Sequence, residues 1–177
     1  PPKPCPPPPK PCPPPPKPEC GTKCALTGCG EGTVNNPSDC FHCGTVSLEA
    51  GSCPSHNKCD GSTLKYTLCA DKKDHGISAV FLSIPESIKV HCLNRIRPFP
   101  VLERPNMLTM RGRGVMAIKE PKRNLKQCSV SFTLTVWDFG YNKQFHMIIC
   151  SPNPEFHHDS GIVTVTSGNL EIVKCCG

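Results

Sequence analysis

The chain has 177 residues, among them 22 prolines and 15 cysteines, and carries a formal charge of +6. A reducing cytosol would keep so many thiols as metal ligands, whereas outside the cell they pair, so the composition points to a secreted protein. No uninterrupted apolar run approaches ~18 residues, which excludes a membrane-spanning helix. The first repeat has no apolar leader ahead of it, as expected of a chain whose signal peptide has been removed, or of a fragment.

Residues 1–18 hold thirteen prolines, three lysines and two cysteines. The block Pro-Pro-Lys-Pro-Cys-Pro-Pro occurs twice and then begins a third time. Proline fixes φ near −65° and has no N–H, so the segment favours a polyproline II rod, roughly 55 Å long at ~3.1 Å per residue. Seven such residues would place Cys5 and Cys12 roughly 22 Å apart, well beyond the ~7 Å Cα limit for a disulfide. These two thiols must bond to another chain, bond back to the rest of this one, or stay free.

Residues 19–75 read as a small disulfide-rich module. They contain Cys20, Cys24, Cys29, Cys40, Cys43, Cys53, Cys59 and Cys69, many turn residues and few large apolar ones. Burial alone would not stabilise so short a segment, and eight cysteines permit full internal pairing in 105 possible connectivities. Cys40-Phe-His-Cys43 has zinc-knuckle spacing, and Cys20 with Cys24 could supply a second pair of ligands. Zinc would leave the neighbouring thiols without partners, so disulfides are the expectation and no cofactor is assigned.

Residues 76–177 read as an antiparallel β-sandwich. Strands are expected at 77–83, 87–92, 108–118, 128–137, 144–150, 161–166 and 170–174, with turns around 138–143 and 167–169. The clearest is 128–137, where Val130, Phe132, Leu134 and Val136 alternate with Ser129, Ser131, Thr133 and Thr135. The fold class is thus mainly β: a rod at 1–18, a disulfide module at 19–75 and a sandwich at 76–177. Cys92, Cys128 and Cys150 join the expected disulfide set, whereas the odd total leaves at least one cysteine without an internal partner. Cys5, Cys12 and the adjacent Cys175 and Cys176 are candidates for assembly.

Residues 94–126 carry nine basic side chains against two acidic ones. Arg95, Arg97, Arg111, Arg113, Lys122 and Arg123 are the candidate anion-binding set. The run Arg111-Gly-Arg-Gly114 is one RGG-like copy, better read as a glycine-bearing strand edge or loop than as an RNA element. His157-His158-Asp159 reads as a polar loop, because neighbouring side chains on an extended chain point to opposite faces. Asp138-Phe-Gly140 matches a kinase tripeptide without the rest of that machinery. No nucleophile elbow, zincin helix or phosphate loop is present, and no enzymatic activity is expected.

The Pro/Cys/Lys tail resembles small proline-rich cross-linking proteins and the cysteine-bearing polyproline flanks of minicollagens. Its four-proline blocks also resemble those of extensin-type wall glycoproteins, pherophorins included. That likeness implies hydroxylation and O-glycosylation of Pro6, Pro7, Pro8, Pro9, Pro13, Pro14, Pro15 and Pro16. The expected function is a secreted structural protein that assembles through its tail and disulfides into a matrix, wall or filament. Its expected partners are copies of itself or other matrix proteins, with anionic polysaccharide as a further candidate and neither nucleic acid nor a membrane span. The alternative is a secreted cysteine-rich binding module, such as a toxin, effector or adhesin, whose basic surface meets an anionic partner.

Overall fold

The computed structural model describes residues 24–36, 44–51, 63–69, 78–93, 106–120, 122–151 and 156–174. These residues form ten strands and one short 3-10 turn at Pro85–Ser87. The strands are β1 (Cys24–Thr33), β2 (Thr45–Gly51), β3 (Thr63–Cys69), β4 (Ser78–Ser83), β5 (Lys89–Leu93), β6 (Met107–Lys119), β7 (Lys126–Asp138), β8 (Lys143–Cys150), β9 (His157–Thr164) and β10 (Ser167–Lys174). Among the described residues no helix is long and apolar enough to cross a membrane. The residues of the proline rod lie outside those described.

All ten strands belong to one antiparallel sheet, ordered β10-β1-β2-β3-β4-β6-β7-β8-β9, with β5 also paired to β6. Two-residue alternation builds it. On β7, Val130, Phe132, Leu134 and Val136 are buried, and the intervening Ser and Thr side chains face outward. On β3, Leu64, Tyr66 and Leu68 point the same way as Val46, Leu48 and Ala50 on β2. These inward rows meet in one core with Phe81, Met110, Met116, Phe145 and Val163.

The sheet folds over on itself at β6. Its second half pairs with β4, down to Ser83 opposite Gly114, and its first half pairs with β5, starting from Lys89 opposite Arg111. The Pro85–Ser87 turn links β4 to β5 across the middle of β6. There the Ile84 N–H donates to the Arg113 carbonyl at 2.8 Å, and Ser87 Oγ accepts from the Arg113 N–H at 2.8 Å. Gly114 makes the close approach possible: a Cβ there would lie 2.3 Å from the Phe81 ring and 2.4 Å from the Leu82 carbonyl oxygen. Hydrogen bonding therefore runs unbroken through β6, and the structure is a single curled half-barrel. Two separately paired sheets, as a sandwich would require, are not what these strands form.

The opposite edges of the sheet also come together. Residues 165 and 166 carry the chain from β9 to β10 at the far edge, where β10 pairs with β1. The Thr166 N–H donates to the Glu31 carbonyl at 2.8 Å, and the Asn35 N–H to the Ser160 carbonyl at 2.8 Å. Residues 167–169, expected to form a turn, instead open β10, because the reversal happens two residues earlier and Gly168 lies opposite Gly30.

The boundary expected at residue 75 does not divide the sheet. β3 pairs with β4 across it, and β1 pairs with β10. The apolar faces of β1, β2 and β3 are buried against the later strands, so these three strands draw on the same core as the rest. The disulfide Cys24–Cys92, with a sequence separation of 68, spans the same boundary and ties β1 to β5. It takes one cysteine from the eight expected to close among themselves, and it removes Cys24 from any zinc pair with Cys20.

Candidate functional site

The outward side of β5, β6 and β7 carries a compact group of three exposed cationic side chains. Arg111 and Arg113 lie two residues apart on β6, so both point away from the core, and both are exposed. Lys89 on β5 is the direct cross-strand partner of Arg111, and His91 faces Thr109 beside it. On the other flank Arg111 is opposite Thr133 and Arg113 opposite Ser131. The cationic groups are thus spaced ~4.8 Å across the strands and ~6.8 Å along β6 at their backbone origins. None of the ion pairs among the described residues includes Lys89, Arg111 or Arg113.

Of the six expected anion-binding residues, Arg111 and Arg113 share this face. Lys122 and Arg123 sit in the β6–β7 connection, at least six residues beyond Arg113 and so roughly 20 Å away. Arg123 pairs there with Glu120 at 3.1 Å. Arg95 and Arg97 lie outside the described residues. Lys89 belongs to the site, and neither its surroundings nor the basic count of residues 94–126 signalled it, since the β5–β6 pairing that places it is non-local.

The cysteines separate into two groups. Cys24 and Cys92 are bonded and buried, whereas Cys29, Cys69, Cys128 and Cys150 are free, with Cys29 and Cys69 exposed. Cys29 shares a row with Glu49 and Lys65, and Cys69 shares one with Thr45. Two strands and four residues therefore separate them, roughly 16 Å, too far for a bond. Cys128 and Cys150 point to opposite faces of the sheet: Cys128 follows the inward parity of Val130, and Cys150 faces outward beside Ser131. Cys20, Cys40, Cys43, Cys53 and Cys59 fall outside the described residues, as do Cys5, Cys12, Cys175, Cys176 and the eight prolines expected to be modified.

The His157-His158-Asp159 segment, expected as a loop, forms the start of β9. Its alternation is real: His158 is buried, and Tyr66 Oη lies 2.7 Å from its Nε2 across the core. Tyr66 also meets the Phe145 ring edge-on at 6.4 Å. Asp159 points outward and accepts from His146 Nε2 at 2.6 Å and from the Gly161 N–H at 2.9 Å. Burial alone would raise its pKa. The Gly161 and His146 hydrogen bonds, with the charges of His146 and His157, outweigh that and hold it below the ordinary value of 3.8. A bulge between His146 and Ile148 sets up this pair, with Gly161 at φ +62°. At that position a Cβ would collide with the Asn35 carbonyl oxygen, 2.1 Å away.

Asp138 has a structural role. It is buried, its Oδ1 accepts from the Gly140 N–H at 2.9 Å, and it shapes the turn into β8. A shallow depression of about 220 Å³ lies on the other half of the sheet, lined by Thr33, Thr45, Ser47, Thr67 and Cys69 among others. It is a hydroxyl-rich surface without a cluster of titratable groups. Comparison of the chain with protein-family models, curated proteins and solved structures returned no match.

Proposed function

We propose that this protein is a secreted structural protein that joins its neighbours covalently through cysteines at one end of a rigid β half-barrel. The observation that carries this reading is the pairing of Cys24 with Lys174 at the ends of β1 and β10. The polypeptide enters and leaves the sheet one strand spacing apart, ~4.8 Å. Cys175 and Cys176 directly follow Lys174, and the segment bearing Cys5 and Cys12 precedes this end of β1 in the chain. Both groups of assembly candidates thus attach at a single pole. The proline-rich segment acts as a stiff spacer carrying thiols outward, and the Cys24–Cys92 bond supports an oxidising setting in which those thiols would pair. No catalytic role is proposed.

Electrophoresis without reductant tests this directly. The expected result is a ladder of multimers that collapses on reduction and is lost when Cys5, Cys12, Cys175 and Cys176 are all changed to Ser. A wild-type chain running as one monomer band, or a ladder unchanged in the fourfold variant, would refute the reading.

A further inference from the structure

We propose that the outward face of β5, β6 and β7 binds a linear anionic polysaccharide across Lys89, Arg111 and Arg113. The first argument is an energetic conflict. Lys89 and Arg111 stand directly opposite each other on neighbouring strands. Like charges so placed destabilise a sheet pair. Arg113 adds a third charge two residues on, and no carboxylate among the described residues pairs with any of the three. A locally unfavourable arrangement without compensation among the described residues marks a surface shaped for something outside it.

The surroundings define the ligand's chemistry. Among the described outward positions of β5 to β9 the one carboxylate is Asp159, already engaged by His146 and Gly161. Glu86 lies in the Pro85–Ser87 turn beside Arg113 and forms no ion pair with Lys89, Arg111 or Arg113. The field over the face is therefore positive, which attracts a polyanion. Thr133 and Ser131, each one strand from an arginine, offer hydroxyl oxygens that can accept from sugar hydroxyls, the Ser131 proton being donated to the Cys150 carbonyl at 3.4 Å. Sites for single-stranded nucleic acid combine such charge with aromatic platforms. Here Trp137 lies four residues beyond Thr133, roughly 13 Å away, and the nearer ring is the small His91 imidazole opposite Thr109. The choice of polysaccharide over nucleic acid rests on the extracellular reading above, whereas the basic face itself does not.

The test uses the full oxidised chain and three end-labelled probes: heparin fragments, oligogalacturonate and oligo-dT, followed by fluorescence polarisation at low ionic strength. At least one of the two saccharides should bind, and added salt should weaken it. R111A/R113A should bind it roughly tenfold more weakly. K65A/K122A removes the same charge from other surfaces and should bind like the wild type. Lys89→Glu should weaken the saccharide and raise the urea midpoint, because it relieves the opposed charges; a residue with a merely structural role would not move both in those directions. Wild-type affinity in R111A/R113A, or an equal loss in K65A/K122A, overturns the proposal. Tighter binding of oligo-dT than of either saccharide, lost in R111A/R113A, overturns the polysaccharide assignment. The multimer ladder is read separately on the same chain, so failure of the assembly reading and failure of this one are distinguishable.

Discussion

Replacing both Cys24 and Cys92 with Ala removes the covalent tie between β1 and β5. The bond closes a segment with a sequence separation of 68. Releasing a loop of that size restores denatured-chain entropy corresponding to about 4 kcal/mol at 25 °C. Any further bridges inside the segment would shorten the effective loop, but halving it lowers the figure by only about 0.6 kcal/mol. Both cysteines are buried, at 1% and 7% exposure, so losing their sulfur atoms adds a packing cost of the same sign. Equilibrium urea unfolding should therefore show a loss of about 4 kcal/mol and a steeper m-value, because the released denatured chain exposes more surface. The thermal midpoint should fall by roughly 8–16 °C for a domain of this size. A loss under about 1 kcal/mol with an unchanged m-value would refute the view that this bond constrains the unfolded chain.

Three further outcomes follow from the core and the bulge. Tyr66→Phe removes the hydroxyl that meets buried His158 and should cost about 1–3 kcal/mol in urea unfolding; a change within a few tenths would show that the contact contributes little. Gly114→Ala drives a Cβ into Phe81 and the Leu82 carbonyl, so a loss of at least about 1–3 kcal/mol is expected, and a neutral result would refute the close packing of β4 on β6. Asp159 is held below its unfolded value of 3.8. Its contribution is therefore fully present above that pH and is lost as the pH falls through the lower folded value. Asp159→Asn should flatten this acid limb of the urea midpoint, and an identical decline in variant and wild type would count against the His146–Asp159 pair.

The later strands were legible because their alternation is local. Val130 to Val136 marks a half-buried strand without knowledge of its neighbours, and β8 begins and ends within one residue of its expected limits. β1 to β3 were obscured by their composition. Gly28, Gly30 and Gly32 interrupt the pattern of β1, and on β2 the two-residue period of Val46, Leu48 and Ala50 is short and set among cysteines and turn residues. The half-barrel depends on β4 and β5 sharing β6, a non-local choice with no signature in either segment. The basic face was half readable for the same reason. Arg111 and Arg113 stand close in sequence, but Lys89 arrives through pairing, and Lys122 and Arg123, though near in the chain, lie in the β6–β7 connection away from that face.

The placement of the disulfide has a mechanical consequence. β1 and β10 end side by side, so a pull that separates the two chain ends would load their ladder one hydrogen-bonded pair at a time, the weakest way to strain a sheet. Cys24 is the first residue of β1, and its sulfur is bonded to β5. Tension arriving along the N-terminal segment therefore passes at once into β5 and the thirteen-residue β6, through a covalent bond. Under load β1 could therefore not peel from the sheet without breaking that bond or unfolding β5, and the strand left to yield first at this end is β10.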